Sequence, residues 1–95
     1  MDMQASVRSA TVADLPSILE VQHDAFMRVS RELDIEPVLL APLTESLSDL
    51  ETLAGSGTRF FVALIGEKVV GSVRATLRGR SVEVGRLVVA TGHTR

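Results

Sequence analysis

Between Lys68 and Arg95 the chain carries a single acid, Glu83, on a strand-like run from Val82 to Ala90. A carboxylate isolated on a strand can serve as a general base. It can equally be the solvated member of an alternating strand, paired across a hairpin with Arg74. Gly85, two positions on, marks either a bulge or the close approach of another backbone. Other chemistries are excluded by composition. There is no cysteine, hence no disulfide, no thiolate nucleophile and no Cys-bearing zinc site. The two histidines, His23 and His93, stand far apart with no partner that suggests catalysis, so both read as surface residues and no metal is expected.

Charge divides along the chain. Residues 1–65 hold ten acids against four bases, whereas residues 66–95 hold Lys68 and five arginines against Glu67 and Glu83. Such a division suits an anionic ligand at the C-terminal part and a cationic one at the N-terminal part, or it reflects charges alternating on solvated faces. Nucleic acid is not an expected partner, because Trp and Tyr are absent and the arginines are spread out. The longest unbroken apolar run is six residues, Phe60 to Ile65, too short for a transmembrane helix, and the start Met-Asp-Met-Gln is unlike a signal peptide. A cytoplasmic protein with no membrane partner is the expectation.

The elements that must position these residues follow from periodicity. Ser6 to Thr11 alternates as a short strand. Thr11 stands three residues before Asp14, the spacing of a capping box, and Pro16 sits where a first helical turn tolerates a missing donor. Leu15, Ile18, Leu19, Ala25, Phe26, Val29 and Leu33 then form one helical stripe. Pro37 and Pro42 predict a break over Asp34 to Pro42. A second helix is predicted with Leu43, Leu47, Leu50 and either Leu53 or Ala54 on one face, ended by Gly55-Ser-Gly57. Phe60–Ile65, Val69–Leu77 and Val82–Ala90 read as strands separated by turns at Gly66-Glu67-Lys68 and Arg78–Ser81. The order β-α-α-β-β-β is an α+β plan with an antiparallel meander.

Within that plan, Glu83-Val-Gly-Arg-Leu-Val-Val-Ala-Thr-Gly-His-Thr94 resembles the strand and loop of the GNAT family of N-acetyltransferases. There a Glu and a Leu-x-Val lead into a (Gln/Arg)-x-x-Gly-x-(Gly/Ala) signature. Leu87 and Val89 match the Leu-x-Val, which sets Glu83 at the acidic position and Thr94 at the Gln/Arg position. Val7-Arg-Ser-Ala-Thr11 with Asp14-Leu-Pro16 and Ile18 resembles the family's first strand and helix start, and Val69-Val-Gly71 its third strand. The resemblance runs through the whole chain but corresponds to about the N-terminal half of such a domain. Thr94 lacks the long polar side chain usual at its position, and the family's following glycines would fall beyond Arg95.

The resemblance implies an acetyl-CoA-dependent N-acetyltransferase acting on a small-molecule or peptide amine. A carboxylate, here Glu83, would take the ammonium proton directly or through a water, and burial raises a carboxylate's pKa towards a useful range. Backbone groups of Leu87, Val88 and Val89 would hold the pantetheine arm as an added strand does, and one amide would polarise the thioester carbonyl. Thr94 and Arg95 would lie at the start of the pyrophosphate loop, whose helix N-terminus binds the anion. Phe26 would line the acceptor pocket, or is core. Arg95 contacts a phosphate or is a solvated terminus. Because that loop would follow Arg95, these 95 residues alone are expected to bind coenzyme A weakly or not at all. The alternative is a non-catalytic α+β module derived from the same fold. In both cases the last strand and one sheet face lack cover, so a homo-oligomer or a complementing C-terminal chain is expected.

Overall fold

The computed structural model describes residues 5–89. Four antiparallel strands, β1 (Ala5–Ser9), β2 (Thr58–Ile65), β3 (Lys68–Arg78) and β4 (Ser81–Val89), lie in the order β1-β2-β3-β4. Between β1 and β2 come α1 (Leu15–Leu33), a 3-10 turn (Pro37–Leu39), α2 (Ala41–Thr44) and α3 (Leu47–Gly55). The α+β meander expected from the sequence is the one observed.

Local chemistry explains the helix ends. The backbone N–H of Thr11 donates to Asp14 Oδ2 at 2.8 Å, and the Thr11 hydroxyl approaches the same oxygen at 3.2 Å. Arg8 on β1 adds a two-pronged contact to the Asp14 carboxylate at 2.7 and 3.0 Å, tying the strand to the helix start. These bonds, that of Arg8 first, hold Asp14 well below the usual carboxylate range. Asp34 stops α1 in the left-handed region, at φ 53°. The predicted single second helix is in fact two. Pro42 lies inside the first turn of α2, where its missing N–H costs nothing, so the break ends at Leu40, two residues earlier than the prolines suggested. Ser46 and Asp49 then form a capping box that starts α3, with bonds of 2.8 and 3.1 Å.

The core lies between the helices and one sheet face. Leu15 and Ile18 of α1, Leu50 of α3, and Phe60, Val62 and Leu64 of β2 form one buried cluster. The predicted α1 stripe is corrected at four positions: Leu33 is 63% exposed, whereas Val21, Gln22 and Ser30 are buried. Strand alternation sends Ser72, Arg74 and Val88 to this same side, through the pairs Val62–Ser72, Phe60–Arg74 and Ser72–Val88. The opposite face carries Val7, Phe61, Ala63, Val73, Val84 and Leu87, and no described helix packs on it. Val7, Val84 and Leu87 are exposed by 71, 67 and 75%.

Candidate functional site

The sheet shifts register twice, once between β2 and β3 at Ala63/Leu64 and once on β4, where the sequence placed its site. Arg74 pairs with Gly85 and Ser72 with Val88, so Val73 alone faces two residues, Arg86 and Leu87. This is a β-bulge. The residue that bends the strand is Arg86, at φ 53°, a left-handed conformation uncommon for a residue with a side chain. Gly85 itself has no atom near the position a Cβ would take, so of the two sequence readings the bulge holds and the close approach does not. The close approach occurs at Gly71 on β3, where a Cβ would stand 3.0 Å from the Val88 carbonyl oxygen.

Beyond the bulge, Leu87 turns outward, Val88 is buried beneath the helices and Val89 is half-buried. β4 pairs with β3 on one side and is an edge of the described sheet on the other. The backbone of Leu87–Val89 therefore borders an open edge, next to a shallow apolar hollow lined by Val7, Phe61, Val73 and Leu87. Thr94 and Arg95 lie outside the described residues.

Glu83 sits three residues before the bulge, level with Thr76. Its side chain is 65% exposed, so the burial expected of it is not found. Its partner is also corrected: Arg78 Nε contacts it at 3.2 Å, and Arg74 does not. Arg74 is drawn elsewhere because it lies on the helix side of the sheet, where a deeper carboxylate meets it.

That carboxylate is Glu45, between α2 and α3. Its Oε1 accepts from Arg74 Nη2 at 2.7 Å and from Gln22 Nε2 at 2.8 Å, and its Oε2 accepts from Arg74 Nη1 at 3.1 Å. Arg86 Nη2 stands 3.8 Å from Oε2. Gln22 also donates to the Pro42 carbonyl at 3.0 Å and accepts from Arg74 at 3.2 Å. The Arg74 guanidinium lies 5.2 Å from the Phe60 ring centroid. Burial pushes Glu45 upward, but the hydrogen bonds from Arg74 and Gln22 and the charges of Arg74 and Arg86 outweigh it, leaving the carboxyl below its ordinary range. A carboxylate so held is a poor proton acceptor and a good anchor.

Sequence reasoning missed Glu45 and Gln22. Gln22 left a signal, a polar residue four positions after Ile18 on the apolar stripe. Glu45 left none, since its partner Arg74 is 29 residues away. Phe26 is half-buried on α1 and lies outside the core cluster. Among the described residues no cluster of His, Asp and Glu could hold a metal, and no helix is long and apolar enough to cross a membrane.

The element order and the antiparallel sheet are those of a GNAT-like fold, shared with two solved acetyltransferases of which this chain spans a part. The chain superimposes on the PaiA N-acetyltransferase of Thermoplasma acidophilum, solved in complex with coenzyme A, with a TM-score of 0.80 over 98% of its length and 18% identity. It also matches a candidate acetyltransferase of Pyrococcus horikoshii over its whole length, with a TM-score of 0.67 and 16% identity. It spans 63% of the first protein and 30% of the second. No protein-family model matches the sequence, and no curated protein is significantly similar to it.

Proposed function

We propose that the chain is the N-terminal part of an acetyl-CoA-dependent N-acetyltransferase that acetylates an amine. The observation that carries this reading is the fold shared with an N-acetyltransferase solved with coenzyme A, in which β4 bulges at Arg86 and Leu87–Val89 run along the edge of the described sheet. In this reading the amides and carbonyls of Leu87, Val88 and Val89 hold the pantetheine arm as a strand would, and one amide polarises the thioester carbonyl. Glu83, exposed and reachable by solvent, takes the ammonium proton through a water. The free amine then attacks the acetyl carbon and coenzyme A leaves as the thiol. Phe26 borders the acceptor, and Thr94 and Arg95 lead into the pyrophosphate loop. The acidic N-terminal two-thirds favours a cationic amine.

The uncovered apolar face supports a further part of the proposal: it is completed by additional polypeptide, either a C-terminal chain or a second copy. It also keeps the second reading alive, a non-catalytic module that self-associates. The coding sequence downstream of Arg95 separates the two. A Gly-x-Gly within about five residues, followed by an amphipathic helix, fits the anion-binding start of the enzyme's next helix, whereas a stop codon fits the module. Amine-dependent release of thiol from acetyl-CoA by the protein containing this chain tests the activity. Absence of release across a panel of cationic and neutral amines would reject it.

A further inference from the structure

The bulge has to be held, because its central residue is an arginine in a conformation that glycine adopts without strain and other residues do not. The side chain of that arginine points to the helix side, where Glu45 stands 3.8 Å from it. Glu45 is itself fixed by Arg74, which lies opposite Gly85 at the edge of the same irregularity, and by Gln22 from α1. Two guanidiniums from the two strands that lose register thus converge on one carboxylate from the helical layer. Neither Gly85 nor Leu87 supplies anything that would force Arg86 left-handed: no atom crowds Gly85, and Leu87 is 75% exposed.

We infer that Glu45 is a positioning residue: through Arg86 it holds β4 in its bulged register and so decides which side chains and backbone groups follow. The consequence is geometric. Strand side chains alternate, so removing one residue of offset would turn every residue beyond Arg86 over, bringing exposed Leu87 under the helices and buried Val88 out. What the bulged register serves, presentation of Leu87–Val89 to coenzyme A, rests on the functional reading above. The register itself does not, and it is tested without ligand.

The experiment uses NMR of the 95-residue chain, reading the intraresidue H–N to Hα distance at position 86, which is short only at positive φ, and the contacts of Leu87 and Val88 with α1. Arg86→Leu keeps the backbone cost and removes the cation. It leaves Arg74 and Glu45 paired, so the fold survives. The regular register should gain about 5- to 30-fold in population relative to the bulged one. Arg86→Gly removes the cation and the backbone cost together, and should keep the bulge at the parent level. Glu45→Gln should behave as Arg86→Leu does, and adding Arg86→Gly to it should restore the bulge. If Glu45→Gln proves too unstable to study, the two Arg86 variants still decide. An unchanged bulge in Arg86→Leu, or its loss in Arg86→Gly, would overturn the inference.

Discussion

Arg74 and Glu45, 29 residues apart in sequence, meet at 2.7 Å with only 12% of each side chain exposed. The contact joins the third strand to the segment between two short helices, and it lies beside the one irregularity of β4. A paired charge this deep is costly to break. Replacing Arg74 by Met leaves Glu45 with Gln22 and the more distant Arg86, and should destabilise the fold by about 3–5 kcal/mol in urea denaturation. Replacing both, Arg74→Met with Glu45→Met, should cost less than the sum of the single changes, because no buried charge is then left without its partner. Additive losses would show that the pair is not coupled.

The Arg8–Asp14 contact predicts a particular dependence on acid. Asp14 is held below its unfolded value, so its contribution is complete above the unfolded pKa of about 4 and fades as pH falls through the carboxylate range. Asp14→Asn should therefore be less stable than the parent at neutral pH, because the amide lacks the charge that Arg8 meets. The gap should narrow steadily below about pH 4. Thermal unfolding of both proteins across this range measures it, and a gap that widens in acid would contradict the assignment.

Glu83 is assigned the amine proton on the functional reading. In the complete enzyme Glu83→Gln should lower turnover at neutral pH by about 10²-fold. The deficit should shrink as pH rises and free amine becomes abundant. A pH–rate profile that overlays that of the parent would take Glu83 out of the mechanism.

The uncovered sheet face predicts association of the 95-residue chain. Light scattering over a concentration series should show species above the monomer mass. Val84→Asp, which puts a charge in the middle of that face, should raise the concentration needed for association by about tenfold or more. A parent chain that stays monomeric and unfolds cooperatively would mean that this face needs no cover.

The sequence was most readable where chemistry is local. Thr11 to Asp14, the apolar spacing of Leu15 and Ile18, and the alternation of Phe60, Val62 and Leu64 each act over a few residues and led to the right element. The same kind of signal was present at Ser46 and Asp49, and reading it would have divided the second helix correctly. Pro42 misled because a proline both ends helices and begins them. At the site, the bulge was legible from Gly85 as a position but not as a mechanism. The strained residue is its neighbour Arg86, and the carboxylate facing that arginine comes from a segment 41 positions earlier. The reading of Glu83 as a solvated strand residue offered Arg74 as its partner because both lie on one hairpin. A register read from the turn would have placed it near Arg78, whose Cα pairs with Ser81 at the hairpin end.

The central claim is that the backbone just beyond the bulge is where acetyl-CoA binds. It is tested most directly by following the amide signals of the isotope-labelled chain during titration with acetyl-CoA. The account predicts weak binding, in the millimolar range because no anion-holding helix start follows β4 among the described residues, with shifts centred on Leu87, Val88 and Val89. A micromolar dissociation constant, or shifts centred away from β4, would contradict it.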